Sequence, residues 1–309
     1  MNKKEIIKKI IEKHGAEGKI LKHIDNWKYV EYNEDSYAIL FINPNIDSKE
    51  KITFFGFIDF PNETDSAMWL FKKLFEESEK LGAKQLIGPL NYSTWFSYRW
   101  TIDGWNDIKV APEPINEKYV PEFAKSMGFS EYLEYFSSII QVSDDEKQQK
   151  CKKKYENSLT EGFEFKRYEG KKVKKVLNEL YKISKEVFSE KPLYSPISKT
   201  MFKRIYISAF NKIDPIVDIC LYKNKPIGFS FYYEDPYDKN ILTWKTVALK
   251  KEYQGHSLGS AFRYLVHQHA LENNYSSVVQ LLMHVESKSK QLISDGEVFR
   301  KYALFSKKI

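Results

Sequence analysis

YQGHSLGSA, residues 253–261, is the stretch on which the reading of this chain turns. It stands between an apolar, strand-like run, NILTWKTVAL (240–249), and a helical stretch, 258–272, with an apolar face. Its small residues Gly255, Ser257, Gly259 and Ser260 let a backbone approach a ligand closely. The amides at a helix start point outward, and the helix dipole adds roughly half a positive charge there. Together these make a cradle for a pyrophosphate. The same letters also fit G-x-S-x-G, the nucleophile elbow of α/β-hydrolases. Spacing argues against that reading. An elbow serine follows its strand almost directly, whereas Lys250 to Gln254 intervene before Ser257. An acid and then a histidine must follow the serine, yet the last histidine, His284, precedes Asp295, and no HGGG-type oxyanion segment lies upstream.

Working outward, the second half reads as strand 163–168, helices 171–189 and 198–210, strands 215–222, 227–233 and 240–249, helix 258–272, strand 276–283, a short helix 288–293 and a last strand 297–306. The first half reads as an amphipathic helix carrying Ile6, Ile7, Ile10 and Ile11, strands 37–43 and 51–60, helix 66–81 stopped at Gly82, strand 84–90, helix 117–127 and strand 129–142. Both halves end in a helix, a strand, a short helix, a glycine and a final strand rich in Tyr and Phe. Residues 143–162 are polar and highly charged, which marks a linker or an exposed connecting helix and places a boundary between units 1–142 and 143–309.

In that setting, Gln254, Gly255, His256, Ser257, Leu258 and Gly259 resemble the signature of the GNAT superfamily of acyl-CoA transferases, with Ser257 where the family usually has its first signature glycine. Gly88 to Ser93 (GPLNYS), Thr94-Trp95 with Tyr98-Arg99, Glu113-Pro114 and Gly128-Phe129 resemble the N-terminal part of tandem GNAT-like bacterial proteins. The resemblance implies an α/β (α+β) fold of two tandem GNAT-like domains, each a mixed, mostly antiparallel sheet flanked by helices. The first would be degenerate, because after Phe60 the chain reads PNETDSA, with no glycine and two acids that repel a pyrophosphate.

The resemblance further implies acetyl-CoA, or another acyl-CoA, as co-substrate of an N-acetyltransferase, and an amine, small molecule or peptide, as acceptor. Gln254 to Ser260 would hold the pyrophosphate, and the strand edge Thr246 to Leu249, with Val247 and Leu249, would hold the pantetheine and the thioester oxygen. Relatives commonly place a proton-donating tyrosine on the helix after the fifth strand. Here that stretch is ESKSKQLISD (286–295), without a tyrosine, and the substitutes are His284, Glu286 and Tyr302. Trp95, Phe96, Tyr98, Trp100 and Trp105 cluster in one loop, and Trp95, Tyr98 and Arg99 are candidates for the substrate pocket or for a satellite core.

Composition narrows the classes. Among 309 residues, Lys and Arg number 49 against 42 Asp and Glu, so a charge of +7 is mild, and only Arg99 is basic in the aromatic cluster, which argues against nucleic-acid binding there. Cys151 and Cys220 cannot build a disulfide framework, which suits a cytoplasmic protein. His267 and His269, two apart on a helix, point to different faces, so no metal is expected. No apolar run reaches the roughly 20 residues of a membrane helix, and the basic start MNKKEIIKKIIEKHG is broken by five charges, unlike a signal peptide. Two alternatives stay open: a transferase of the peptidoglycan-bridge type using aminoacyl-tRNA, which the basic blocks KCKKK (150–154) and KKVKK (171–175) would suit, and an inactive GNAT-fold binding protein.

Overall fold

The computed structural model describes residues 1–46, 48–105, 107–287 and 295–309. The first helix, α1 (Lys3–His14), is closed by a capping box: Asn2 accepts from the Lys4 and Glu5 amides, and Glu5 accepts from the Asn2 amide. Its buried face carries Ile6, Ile7 and Ile10. Strands β1 (Trp27–Asn33), β2 (Ser36–Phe41) and β3 (Ile52–Asp59) form an antiparallel meander. Helix α2 (Thr64–Lys80) then crosses over to β4 (Gln85–Gly88), which runs parallel to β3. Strand β5 (Trp100–Asp103), helix α3 (Tyr119–Ser126) and strand β6 (Ser130–Gln141) complete the first half.

Residues 143–162 are a helix rather than a linker. Helix α4 (Glu146–Thr160) is capped by Asp145, which accepts from the Gln148 amide, and it buries Gln148, Cys151 and Ser158. The second half continues with β7 (Phe163–Glu169), a 3-10 stretch (Gly170–Val176) leading into α5 (Leu177–Phe188), α6 (Lys199–Ala209), and the antiparallel strands β8 (Pro215–Tyr222), β9 (Lys225–Glu234) and β10 (Ile241–Leu249). Helix α7 (Leu258–Glu272), against which α4 packs, crosses over to β11 (Ser277–His284), parallel to β10, and β12 (Glu297–Lys308) ends the chain. The short helix expected over 288–293 lies outside the described residues. Two strands escaped the sequence reading. β1 buries only Val30 fully, so its alternation is weak, and β5 is four residues long.

The twelve strands of the described residues form one sheet in the order β1-β2-β3-β4-β12-β6-β11-β10-β9-β8-β7, with β5 paired to β12. The order is symmetric about the β12/β6 pair for four strands on each side, with β7 one strand further out, and at that centre the halves exchange their last strands. β12, from the end of the chain, pairs with β4 (Phe305 opposite Gly88), and β6 pairs with β11 (Ser277 opposite Gln141). β6 and β12 themselves pair antiparallel from Glu297 opposite Ile139 to Ser306 opposite Ser130. Right-handed crossovers in this symmetric order put α2 and α7 on the same face of the sheet. Helices α5 and α6 cover the opposite face of the second half, around Val217, Phe229 and Phe231. Among the described residues no helix is long and apolar enough to cross a membrane.

This exchange predicts that neither half folds alone. A fragment of residues 143–309 would lose β6 and leave β11 and β12 without their shared partner, exposing unpaired apolar edges. Expressed separately, 1–142 and 143–309 are expected to be insoluble or to lack a cooperative thermal transition, whereas co-expression restores one. Two independent, cooperative transitions would contradict the exchanged sheet.

Candidate active site

The site begins where β10 and β11 part. They pair only from Ile241 opposite Ser277 to Trp244 opposite Gln280. Beyond that point β10 carries a bulge at Lys245, where its register against β9 shifts between Trp244 and Thr246, and β11 breaks its register against β6 between Gln280 and Met283. Leu282, in that break, has a φ of 57°, and its amide donates to Ser137 Oγ at 3.1 Å. The two bulges turn the strands apart. Thr246 to Leu249 therefore present a sheet edge with no strand opposite among the described residues. Val247 and Leu249 lie partly buried against the core beneath α7.

This edge runs straight into the 254–260 loop. Gly255 has a φ of +106°, and a side chain there would meet nothing within 4 Å, so its demand is conformational rather than steric. Ser257 is the residue before α7 and holds a left-handed conformation, φ 58° and ψ 13°, with no side-chain cap bond. Its carbonyl accepts from the Ser260 and Ala261 amides at 2.9 and 3.2 Å. Among the described residues no protein acceptor takes the amides of Gly255 to Gly259. Five amides without a protein acceptor at a helix N-terminus are a donor set that a pyrophosphate would satisfy. Positive charge is close by, with Lys154 Nζ 3.5 Å from Ser260 Oγ, although His256 faces Glu161 at 3.2 Å.

The equivalent gap in the first half is closed. β3 and β4 pair from Ile52 opposite Gln85 to Phe54 opposite Ile87 and then also diverge. There the Leu90 amide donates to the Phe55 carbonyl at 2.8 Å, and Asn91 Oδ1 accepts from the Phe57 amide at 2.7 Å. Gly56 makes this possible, since a Cβ on it would sit 2.0 Å from the Leu90 carbonyl oxygen. The edge that a pantetheine would use is already occupied by the protein's own chain.

The other candidates separate into two groups. Tyr98, Arg99 and His284 gather beside the open gap. Arg99, 6% exposed and at a φ of 74°, lies 3.7 Å from the Tyr98 ring centre and 4.0 Å from that of Tyr135, and its Nη1 donates to the Leu282 carbonyl at 3.1 Å. His284 packs edge-on against Tyr135 at 5.1 Å, and its Nδ1 accepts from the Glu286 amide at 3.2 Å, which leaves the proton on Nε2. Burial, reinforced by the charges of Lys191 and Arg99 against an opposing Glu286, lowers its pKa and keeps the ring neutral at pH 7. Glu286 is exposed.

Tyr302 and Trp95 sit elsewhere. Tyr302 is fully enclosed, bonded to Glu113 and at 3.0 Å to Ser137, and burial raises its pKa. Trp95 crosses to the second half and packs between Phe202, Phe188 and Tyr194 with ring centres 5.5, 6.1 and 6.3 Å away. His267 is buried on α7, where desolvation takes its pKa down to about 3. Both cysteines are free and buried, and burial pushes the Cys220 thiol up to about 12. Among the described residues no three His, Cys, Asp or Glu side chains converge as a metal site would require.

Lys245 was not visible as a site residue in the sequence. It lies within the stretch 240–249 that reads as a strand. The bulge leaves it partly buried, and desolvation first, then the Arg99 charge, lower its pKa to about 8. Tyr135 was equally hidden, because it comes from the first half through the exchanged strand β6.

No family model matches the chain, and no curated protein matches it. Solved structures do. A tandem GNAT protein from the clavulanic acid biosynthesis pathway aligns with a TM-score of 0.52 at 8% identity, over 89% of this chain and 79% of its own. A GCN5-related N-acetyltransferase from Anabaena variabilis gives 0.56 at 10% identity over 98% and 69%, and a probable N-acyltransferase of unknown function from Enterococcus faecalis gives 0.53 at 10% over 100% and 71%. The chain has the GNAT fold, a mixed α/β architecture with a mostly antiparallel sheet flanked by helices. At these identities the likeness concerns the fold.

Two outcomes are expected from this geometry. Ser257→Gly removes the left-handed penalty of a side chain, about 1 kcal/mol, and should raise Tm by roughly 2 °C; an unchanged or lower Tm would place Ser257 in another backbone conformation. Lys245 has a folded pKa below its unfolded value of about 10.5, so the unfolded chain binds the extra proton and stability rises with pH between about 8 and 10.5. Lys245→Met should be the more stable protein at pH 7, with its advantage shrinking through that window in parallel urea titrations.

Proposed function

We propose that the second half binds an acyl-CoA and transfers its acyl group to an amine. The observation that carries this reading is the open edge Thr246 to Leu249 leading into five unpartnered amides at the start of α7, set beside a first-half gap that its own chain fills. The amides of Gly255 to Gly259 would hold the pyrophosphate, with Gln254 and Ser260 flanking it. The β10 edge would bond the pantetheine amides as a missing strand does, and orient the thioester carbonyl.

The reaction is direct aminolysis. A neutral amine attacks the thioester carbon, the C–N bond forms, the C–S bond breaks, and CoA leaves as a thiolate that takes up a proton as the new ammonium loses one. His284 serves this as a neutral donor: its Nε2–H stabilises the developing negative charge without a full proton transfer. Tyr302 keeps its hydroxyl in the enclosed Glu113 network, and Glu286 orients His284 through its amide. The first half contributes Tyr98, Arg99 and Tyr135 to the acceptor side of the gap.

Acetyl-CoA at 100 times its dissociation constant should stabilise the protein by roughly 2.7 kcal/mol. Gly259→Asp, which sets a carboxylate among the amides, should abolish that shift in thermal unfolding. A shift equal in wild type and variant, or none at millimolar acetyl-CoA, would remove the acyl-CoA reading and leave the tRNA-dependent and binding-protein alternatives.

A further inference from the structure

Resting on the acyl-transfer reading, we infer that the acceptor carries an anionic group, a carboxylate or a phosphate, which seats between Lys245 and Arg99 in the gap where β10 and β11 diverge. Two observations lead there. First, the bulge leaves Lys245 partly buried one residue beyond the last β10–β11 pair, level with the break in β11 whose Leu282 carbonyl accepts from Arg99 Nη1, and among the described residues neither cation makes an ion pair. Elsewhere in the molecule, buried cations are matched: Arg167 with Asp218, Arg263 with Asp295, Arg300 with Glu113. An unmatched pair of like charges at partly buried depth is costly in the empty protein, and an anion turns that cost into binding.

Second, Arg99 is held for a ligand rather than free to swing away. Its plane is sandwiched by Tyr98 and Tyr135, while Nε and Nη1 are spent on the carbonyls of Tyr98 and Leu282. Its remaining terminal nitrogen, Nη2, makes no hydrogen bond among the described residues.

The test uses full-length protein, wild type, Lys245→Gln and Lys245→Arg, in thermal unfolding at fixed ionic strength. The probes are N-acetylglycine against N-acetylglycinamide, which differ in one carboxylate, and inorganic phosphate against chloride. The wild type should be stabilised by N-acetylglycine over its amide, or by phosphate over chloride. Lys245→Gln should bind that anion about tenfold more weakly, a loss typical of a charge-assisted hydrogen bond, and Lys245→Arg should recover most of it. Preference for N-acetylglycine alone identifies a carboxylate acceptor, and preference for phosphate alone a phosphorylated one. Equal response to both members of each pair, or an anion effect unchanged in Lys245→Gln, overturns the inference. Acetyl-CoA, run in parallel on the wild type, separates the failures: an acetyl-CoA shift without an anion shift leaves the transfer reading standing and removes this one, and an anion shift without an acetyl-CoA shift removes the transfer reading and with it the acceptor, leaving only an anion site at Lys245.

Discussion

The antiparallel pairing of β6 with β12 is the contact on which the rest of this molecule depends. Each strand closes the other half's sheet, so the two GNAT-like units share one continuous layer of twelve strands instead of docking as separate bodies. The exchange also sets the site. β6 lies against β11, which brings Tyr135 beside His284 and puts Ser137 Oγ under the Leu282 amide, where it props the break in β11. A site in the second half is therefore partly built by a strand from the first.

The symmetry of the fold makes its asymmetry informative. Both halves contain a parallel strand pair joined by a helix and diverging after a few residues. In the first, Gly56 admits the Leu90 backbone and Asn91 finishes the hydrogen bonding, so a bound strand-like ligand has no free edge to use. In the second, Thr246 occupies the position equivalent to Gly56, counted from the last strand pair, and the edge stays open. A glycine at this position in one half and a threonine in the other accompany a closed edge and an open one.

Electrostatics complete the contrast. Away from the gap, buried charges are neutralised within the protein, as when Arg300 and Tyr302 share Glu113. At the gap, Arg99 and Lys245 make no ion pair among the described residues, and burial keeps His284 neutral. Desolvated like charges are tolerated where a ligand completes them, and the geometry limits that place to the mouth of the strand divergence.

Much of this was legible in the linear chain. Residues 258–272 form a helix as the apolar spacing requires, 215–222 form a strand, and the left-handed residue needed before α7 is marked by the departure at Ser257 from a glycine-rich loop. The loop could be read because its requirements are local: small residues, outward amides and a helix start lie within nine consecutive positions. Tertiary structure alone decided that β12 passes to the first half, that Trp95 anchors one half in the other, and that Arg99 reaches the Leu282 carbonyl across 183 positions of chain. Strand order and bulge direction arise from pairing energies summed over distant segments, and a strand's own sequence records which residues it can bury, not which neighbour will bury them.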